Sequence, residues 1–295
     1  MSQVSLDQLN ATDKAGFVGA LGDIFERAPW VAEMAHAKRP FATLAALHDA
    51  MASAVRDAAD DRQLALIRGH PDLAGKAARA GTMTPASVSE QAGAGLDQLS
   101  DDEFAAFHRL NDAYRNRFDI PFIICVRRHT KDSILRRFAQ RLRNDAAAER
   151  GTAVAEILRI AALRLDGRVA APDRLKVHGR LSTHVLDTRI GRPAAGVAVE
   201  LVEISEMGEG RRVAQAMTNA DGRTDPPLIA DRPVPIGIYE LRFDLGEYFA
   251  RQGEAGADPP FLGIVPLRFA VAEPEAHYHV PLLATPFSYA TYRGS

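Results

Sequence analysis

The apolar residues of this 295-residue chain keep two different spacings, and the change near residue 166 limits what the chain can fold into. Up to that point they recur every three or four positions. Phe17, Leu21, Ile24 and Phe25 fall on one helical face, and Phe41, Leu44, Met51 and Val55 keep similar steps. In 99–121, "LSDDEFAAFHRLNDAYRNRFDIP", Ser100 and Glu103 form a capping box. A stripe of Phe104, Phe107, Leu110, Tyr114 and Phe118 follows, with Pro121 just beyond it. Another helix is predicted over 152–169, with Gly167 as its stop. After 166 the period becomes two: Val197, Val199, Leu201; Tyr239, Leu241, Phe243; Val265, Leu267, Phe269. A helix period and a strand period do not share one layer. The expected fold is therefore two domains, an all-α helical domain over 1–166 and an all-β sandwich over 178–295. The segment 167–177, with Gly, Pro and charges but no period, reads as a linker.

Composition narrows the function classes. A formal net charge of −2 gives no overall basic field for nucleic acid or an anionic membrane. The basic run 127–143 reads as the solvated face of a helix. Cys125, the single cysteine, allows neither an intramolecular disulfide nor a thiolate zinc site. No apolar run is long enough for a membrane span, and no signal peptide is evident, so a cytoplasmic protein is expected.

The chemistry-bearing residues of the strand-rich half lie in "THVLDT" (183–188), "NADGRTD" (219–225), "HYHVPLL" (277–283) and "FSYATYRGS" (287–295). With "GIYELRFD" (237–244) these motifs resemble the 5-hydroxyisourate hydrolases of the transthyretin-like family, and the match covers roughly 178–295. The closing Tyr292-Arg293-Gly294-Ser295 is similar to the family's C-terminal tetrapeptide. The resemblance implies four catalytic positions, His184, Arg223, His279 and Ser295, and a tetramer whose channel holds the site. The residue types suit the reaction. A neutral histidine takes a proton from water, and an arginine holds a developing oxyanion in a planar fork. Which of His184 and His279 is the base stays open. On spacing alone a strand histidine is more often structural. His277 and His279 share a face but have no carboxylate beside them, so His277 reads as a bystander and no metal is expected. A hydrophobic-ligand carrier built on the same fold is the rival reading.

In the helical half, "GHPDLAGK" (69–76) places His70 before a proline, which biases it out of regular helix. Together with "SEQAGAGLDQL" (89–99), "LNDAYRNRFDIPFIICVR" (110–127) and "LRIAALRL" (158–165), it resembles 2-oxo-4-hydroxy-4-carboxy-5-ureidoimidazoline (OHCU) decarboxylase across about 1–166. The resemblance implies His70, Glu90 and Arg164 as catalytic residues and Pro71, Ser87, Gln91 and Ile123 as substrate-binding ones. Simpler accounts exist for several. Ser87 and Glu90 fit a capping box, Pro71 a first helical position, and Arg164 a snorkelling side chain on an apolar face. The two resemblances join consecutive steps of urate degradation, ending in (S)-allantoin, with small purine-derived substrates and no cofactor. They also imply a homo-oligomer, with dimer contacts through the helical half. Against this stand a binding module fused to a helical scaffold, and a chain in which only one domain is active.

Overall fold

The computed structural model describes residues 3–74, 83–254 and 257–294. Ser295 lies outside the described residues. The chain divides into two compact units between Val177 and His178.

The first unit is helical. Its described helices are α1 (Leu6–Ala11), α2 (Lys14–Leu21), α3 (Trp30–His36), α4 (Leu44–Arg56), α5 (Asp60–Arg68), α6 (Pro85–Gly93), α7 (Asp101–Phe118), α8 (Lys131–Arg141) and α9 (Ala146–Arg168). Local chemistry starts most of them. Ser5 and Gln8 form a capping box on α1, Ser100 and Glu103 another on α7, and Asp13, Thr43, Thr84, Thr130 and Asp145 cap α2, α4, α6, α8 and α9. The stripe predicted on α7 points inward, with Phe107 and Tyr114 fully buried, and α9 buries Ala153, Ile157, Ala161 and Leu165.

Two expectations change here. The basic run is not wholly solvated: Arg141, at the end of α8, is buried beside Glu149. The segment 167–177 belongs to the helical unit. Helix α9 runs on through Gly167 to Arg168, and strand β2 (Val169–Ala170) pairs in parallel with β1 (Val4–Ser5). Asp173 accepts from the Leu44 amide at 2.9 Å, and the Leu175 amide donates to the buried Asp166 at 2.8 Å. Polar side chains in this stretch meet otherwise unpaired backbone, which fixes a sequence with no period of its own.

The second unit is built from β3 (Gly179–Ser182), β4 (Val185–Asp187), β5 (Arg192–Pro193), β6 (Ala198–Ile204), β7 (Gly210–Met217), β8 (Ile229–Arg232), β9 (Gly237–Asp244), β10 (Ile264–Val271), β11 (His277–His279), β12 (Leu282–Thr285) and β13 (Ser288–Thr291). They form open sheets in the orders β10-β9-β6-β7, β11-β3-β8 and β13-β12-β4-β5. The period-two residues Val199, Leu201, Tyr239, Leu241, Phe243 and Val265 are its core. One short helix, α10 (Leu245–Arg251), breaks the all-β expectation. Asp244 caps it, and Leu245, Tyr248 and Phe249 bury one face.

Candidate active sites

In the helical unit one cavity is lined by His70, Pro71, Ser87, Glu90, Gln91, Ile123 and Arg164. Seven residues separated by up to 94 positions thus face a single space. His70 follows α5, whose C-cap is Gly69. It is 8% exposed, and its Nδ1 lies 2.9 Å from the Leu66 carbonyl. A carbonyl only accepts, so Nδ1 carries the proton and the lone pair of the neutral ring sits on Nε2. Burial pushes the His70 pKa down, so the neutral form holds at pH 7.

Arg164, from α9, is gripped rather than snorkelling. Its Nε and Nη2 each donate to Glu90 at 2.8 Å, Nη1 to Glu26 at 3.2 Å, and Nη2 to Ser87 at 3.3 Å. Burial lowers the Arg164 pKa, but the carboxylates of Glu90 and Glu26 outweigh it and the net shift is upward, so the guanidinium stays charged. Ser87 and Glu90 do not cap α6, because Thr84 does, with Pro85 at the first helical position. Pro71 opens no helix; it lies in the irregular stretch after α5.

Glu26 was not among the expected residues. It is 3% exposed and accepts from Thr84 and Ser87 at 3.1 Å as well as from Arg164. It stands in the irregular segment between α2 and α3, where no periodicity marks a residue. Gln91 holds the wall: its Oε1 accepts from the Ala74 amide at 3.0 Å. Asn111 adds a bond to the Leu73 carbonyl at 2.8 Å, and Arg115 pairs with Asp72.

The wall at 121–125 is irregular buried backbone, and side chains must satisfy it. Arg141 Nη1 donates to the Ile123 carbonyl at 2.6 Å, and Glu156 accepts from the Cys125 amide at 2.8 Å. Ile124, between them, also lines the cavity. No hydrogen bond among the described residues engages Ile124 N–H or C=O. The Ile123 carbonyl, by contrast, is already occupied.

In the β unit, His184 and Arg223 form an antiparallel bridge, and His279 forms one with Gly294. His184 Nδ1 lies 2.7 Å from His279 Nε2. Desolvation, then the neighbouring His184 and Arg223, push His279 down to about 4. His184 is lowered by the same burial and by Arg223. Both rings are neutral at pH 7. Arg223, set on the 219–225 turn, is exposed, and its side chain has no hydrogen-bond partner among the described residues. Gly294, beyond β13, lets the chain lie on His279: a Cβ there would stand 2.6 Å from His279 Cδ2. His277 is not isolated; its Nε2 lies 2.8 Å from Ser182 Oγ. Among the described residues no three His, Cys, Asp or Glu side chains converge as a metal site.

A family model described as OHCU decarboxylase matches residues 10–166, and one described as HIUase/Transthyretin family matches 181–294. The chain belongs to both families, one through each unit. The OHCU decarboxylase of Haloferax volcanii is 42% identical over 171 residues, 58% of this chain and 99% of that protein. The 5-hydroxyisourate hydrolase of Halalkalibacterium halodurans is 51% identical over 117 residues, 40% of this chain and 98% of that protein. A crystal structure of (S)-allantoin synthase is similar across both units: 33% identity, TM-score 0.51, covering 99% of this chain and 100% of that one.

Proposed function

We propose that the chain is a bifunctional enzyme of urate degradation. Its β unit hydrolyses 5-hydroxyisourate to OHCU, and its helical unit decarboxylates OHCU to (S)-allantoin. The observation that carries this reading is the convergence of two separate residue sets. His70, Ser87, Glu90, Gln91 and Arg164 line one cavity, and His184, Arg223 and His279 adjoin one another in the other unit.

In the β unit a neutral histidine takes a proton from water as the oxygen attacks a ring carbonyl. Arg223, whose guanidinium has no hydrogen-bond partner among the described residues, steadies the oxyanion. In the helical unit the C–CO2 bond breaks, and its electron pair moves into the adjacent ring C=N. His70 Nε2 accepts the substrate hydroxyl proton and returns a proton to the carbon bearing the ureido group. A proton from solvent ends on the ring nitrogen. The substrate is its own electron sink, so the residues need only bind, orient and move protons. Glu90, held bidentately by Arg164, supplies acceptor oxygens for ureido N–H groups. Ile124 supplies the main-chain donor and acceptor on the opposite wall. The β unit is proposed to assemble as a tetramer. The exposure of Phe287, Tyr289 and Tyr292 near the chain's end supports a covered face there.

The test follows the ultraviolet decay of freshly generated 5-hydroxyisourate and the circular dichroism of the product. Wild type should give rapid decay and chiral allantoin. His70→Ala should stall after the first step, and His279→Ala should leave the first decay near its spontaneous rate. A wild type no faster than buffer at either step would reject the bifunctional reading.

A further inference from the structure

The hydrogen bonds of the β unit do not stop at the histidine pair. His184 Nδ1 meets His279 Nε2 at 2.7 Å, His279 Nδ1 meets Ser182 Oγ at 2.9 Å, and Ser182 Oγ meets His277 Nε2 at 2.8 Å. The sheet register fixes this row. Strand β11 pairs in parallel with β3, setting His279 against Ser182, and the period of two puts His277 and His279 on one face. One end, His184 Nε2, has no hydrogen bond among the described residues. The other end, His277, is exposed.

A neutral imidazole has one N–H, and a hydroxyl gives one hydrogen bond and accepts up to two. Three bonds in series among three neutral rings and one hydroxyl can therefore be satisfied with every proton pointing toward His184, or with every proton pointing toward His277. They are also satisfied when Ser182 accepts from both His279 and His277. In the second arrangement His184 donates from Nδ1, and its Nε2 presents a lone pair.

We infer that Ser182 and His277 complete a proton relay that carries the proton taken from the attacking water out to the surface. The inference rests on the hydrolase reading above. His184 Nε2 takes the proton as the water O–H bond breaks and the new C–O bond forms. His184 Nδ1–H then passes to His279 Nε2, His279 Nδ1–H to Ser182 Oγ, and the Ser182 proton to His277 Nε2. The charge ends on His277, which releases a proton from its exposed ring to solvent. No oxidant or further co-reactant enters. The row now points the other way; as the ring C–N bond breaks, His184 Nε2–H protonates the leaving nitrogen, each bond of the row hops back, and His277 regains a proton from solvent. The surrounding charges keep the row neutral at rest. Arg223 faces His184 and His279 from the 219–225 turn, and Arg180 on β3 faces His277 and His279, so a lasting positive charge inside is opposed. A bystander His277 needs no serine set between it and His279.

The test uses the full chain and 5-hydroxyisourate in weakly buffered solution. His277→Ala and Ser182→Ala should lower kcat for ring opening on the order of tenfold, with KM and the decarboxylation step unchanged. Added imidazole should restore His277→Ala in a saturating manner, because it replaces the lost carrier, and should leave wild type unchanged. His277→Gln keeps a hydrogen bond to Ser182 but cannot carry a proton, so it should be as slow as His277→Ala. Full kcat in His277→Gln would overturn the relay, as would a loss in His277→Ala that imidazole does not repair. A wild type no faster than buffer would reject the hydrolase reading and the relay with it.

Discussion

Arg141→Met removes the guanidinium from a carboxylate that solvent does not reach. Glu149 is 0% exposed and accepts from Arg141 Nε at 2.7 Å, from Asn144 at 2.8 Å and from the Tyr114 hydroxyl. Breaking a buried ion pair by deleting one partner costs about 3–5 kcal/mol, because the other charge stays buried without compensation. That is a large part of the about 5–15 kcal/mol that holds a domain folded. For a unit of this size it corresponds to a fall of roughly 6–20 °C in Tm. Thermal unfolding followed at 222 nm reads the helical unit and should show this fall. The double variant Arg141→Met/Glu149→Leu should recover most of it, since an apolar pair of similar volume needs no charge compensation. Decarboxylation should weaken in the single variant even below its Tm, because the Ile123 carbonyl loses its donor and Phe122 the guanidinium 4.4 Å from its ring. A cost under about 1 kcal/mol, the range of exposed pairs, would refute the reasoning, as would a double variant no better than the single.

Glu26→Gln weakens a charge-assisted grip on Arg164, and kcat/KM for decarboxylation should drop roughly 10- to 100-fold with ring opening unaffected, as steady-state rates of each step will show. Burial and the neighbouring cations hold His279 down near about 4, so it stays unprotonated as pH falls through 6.5; the acid limb of kcat/KM for ring opening should lie well below pH 6.5, and a limb centred at or above 6.5 would contradict the geometry. Gly294→Ala places a methyl 2.6 Å from His279 Cδ2, so ring opening should slow about 100-fold through displacement of the imidazole while decarboxylation is unchanged.

The two periods were legible in the sequence because each reports one buried face. Phe107 and Tyr114 on α7, and Val199 and Leu201 on β6, are buried as their spacing requires. Capping was legible where a pair stood free, as at Ser100 and Glu103, and misleading at Ser87 and Glu90. The same Ser-x-x-Glu spacing there serves Glu26 and Arg164, while Thr84 caps the helix. Spacing cannot separate these cases, because what differs is the partner across the fold. His70 stood out beside its proline. Glu26 did not, since its partners are Arg164, Ser87 and Thr84, remote in sequence. The row of Ser182 and the three histidines leaves no mark in the sequence for the same reason. His277 beside His279 suggests nothing until the parallel pairing of β11 with β3 brings Ser182 between them. The segment 167–177 carries no period because single side-chain bonds, not a buried face, hold it in place.

The folding-back of 167–177 also says where such a gene can be joined or divided. Asp173 accepts from the Leu44 amide in the first turn of α4 and Asp166 ties down Leu175, so a break at the change of period would strip the helical half of contacts it uses. The seam lies instead between Val177 and His178. Relatives that match one half nearly end to end show the halves as separate genes, the Haloferax volcanii decarboxylase aligning over 171 residues. Recombination at this junction would exchange whole catalysts without cutting into either, and a library of shuffled fusions should find its viable crossovers there.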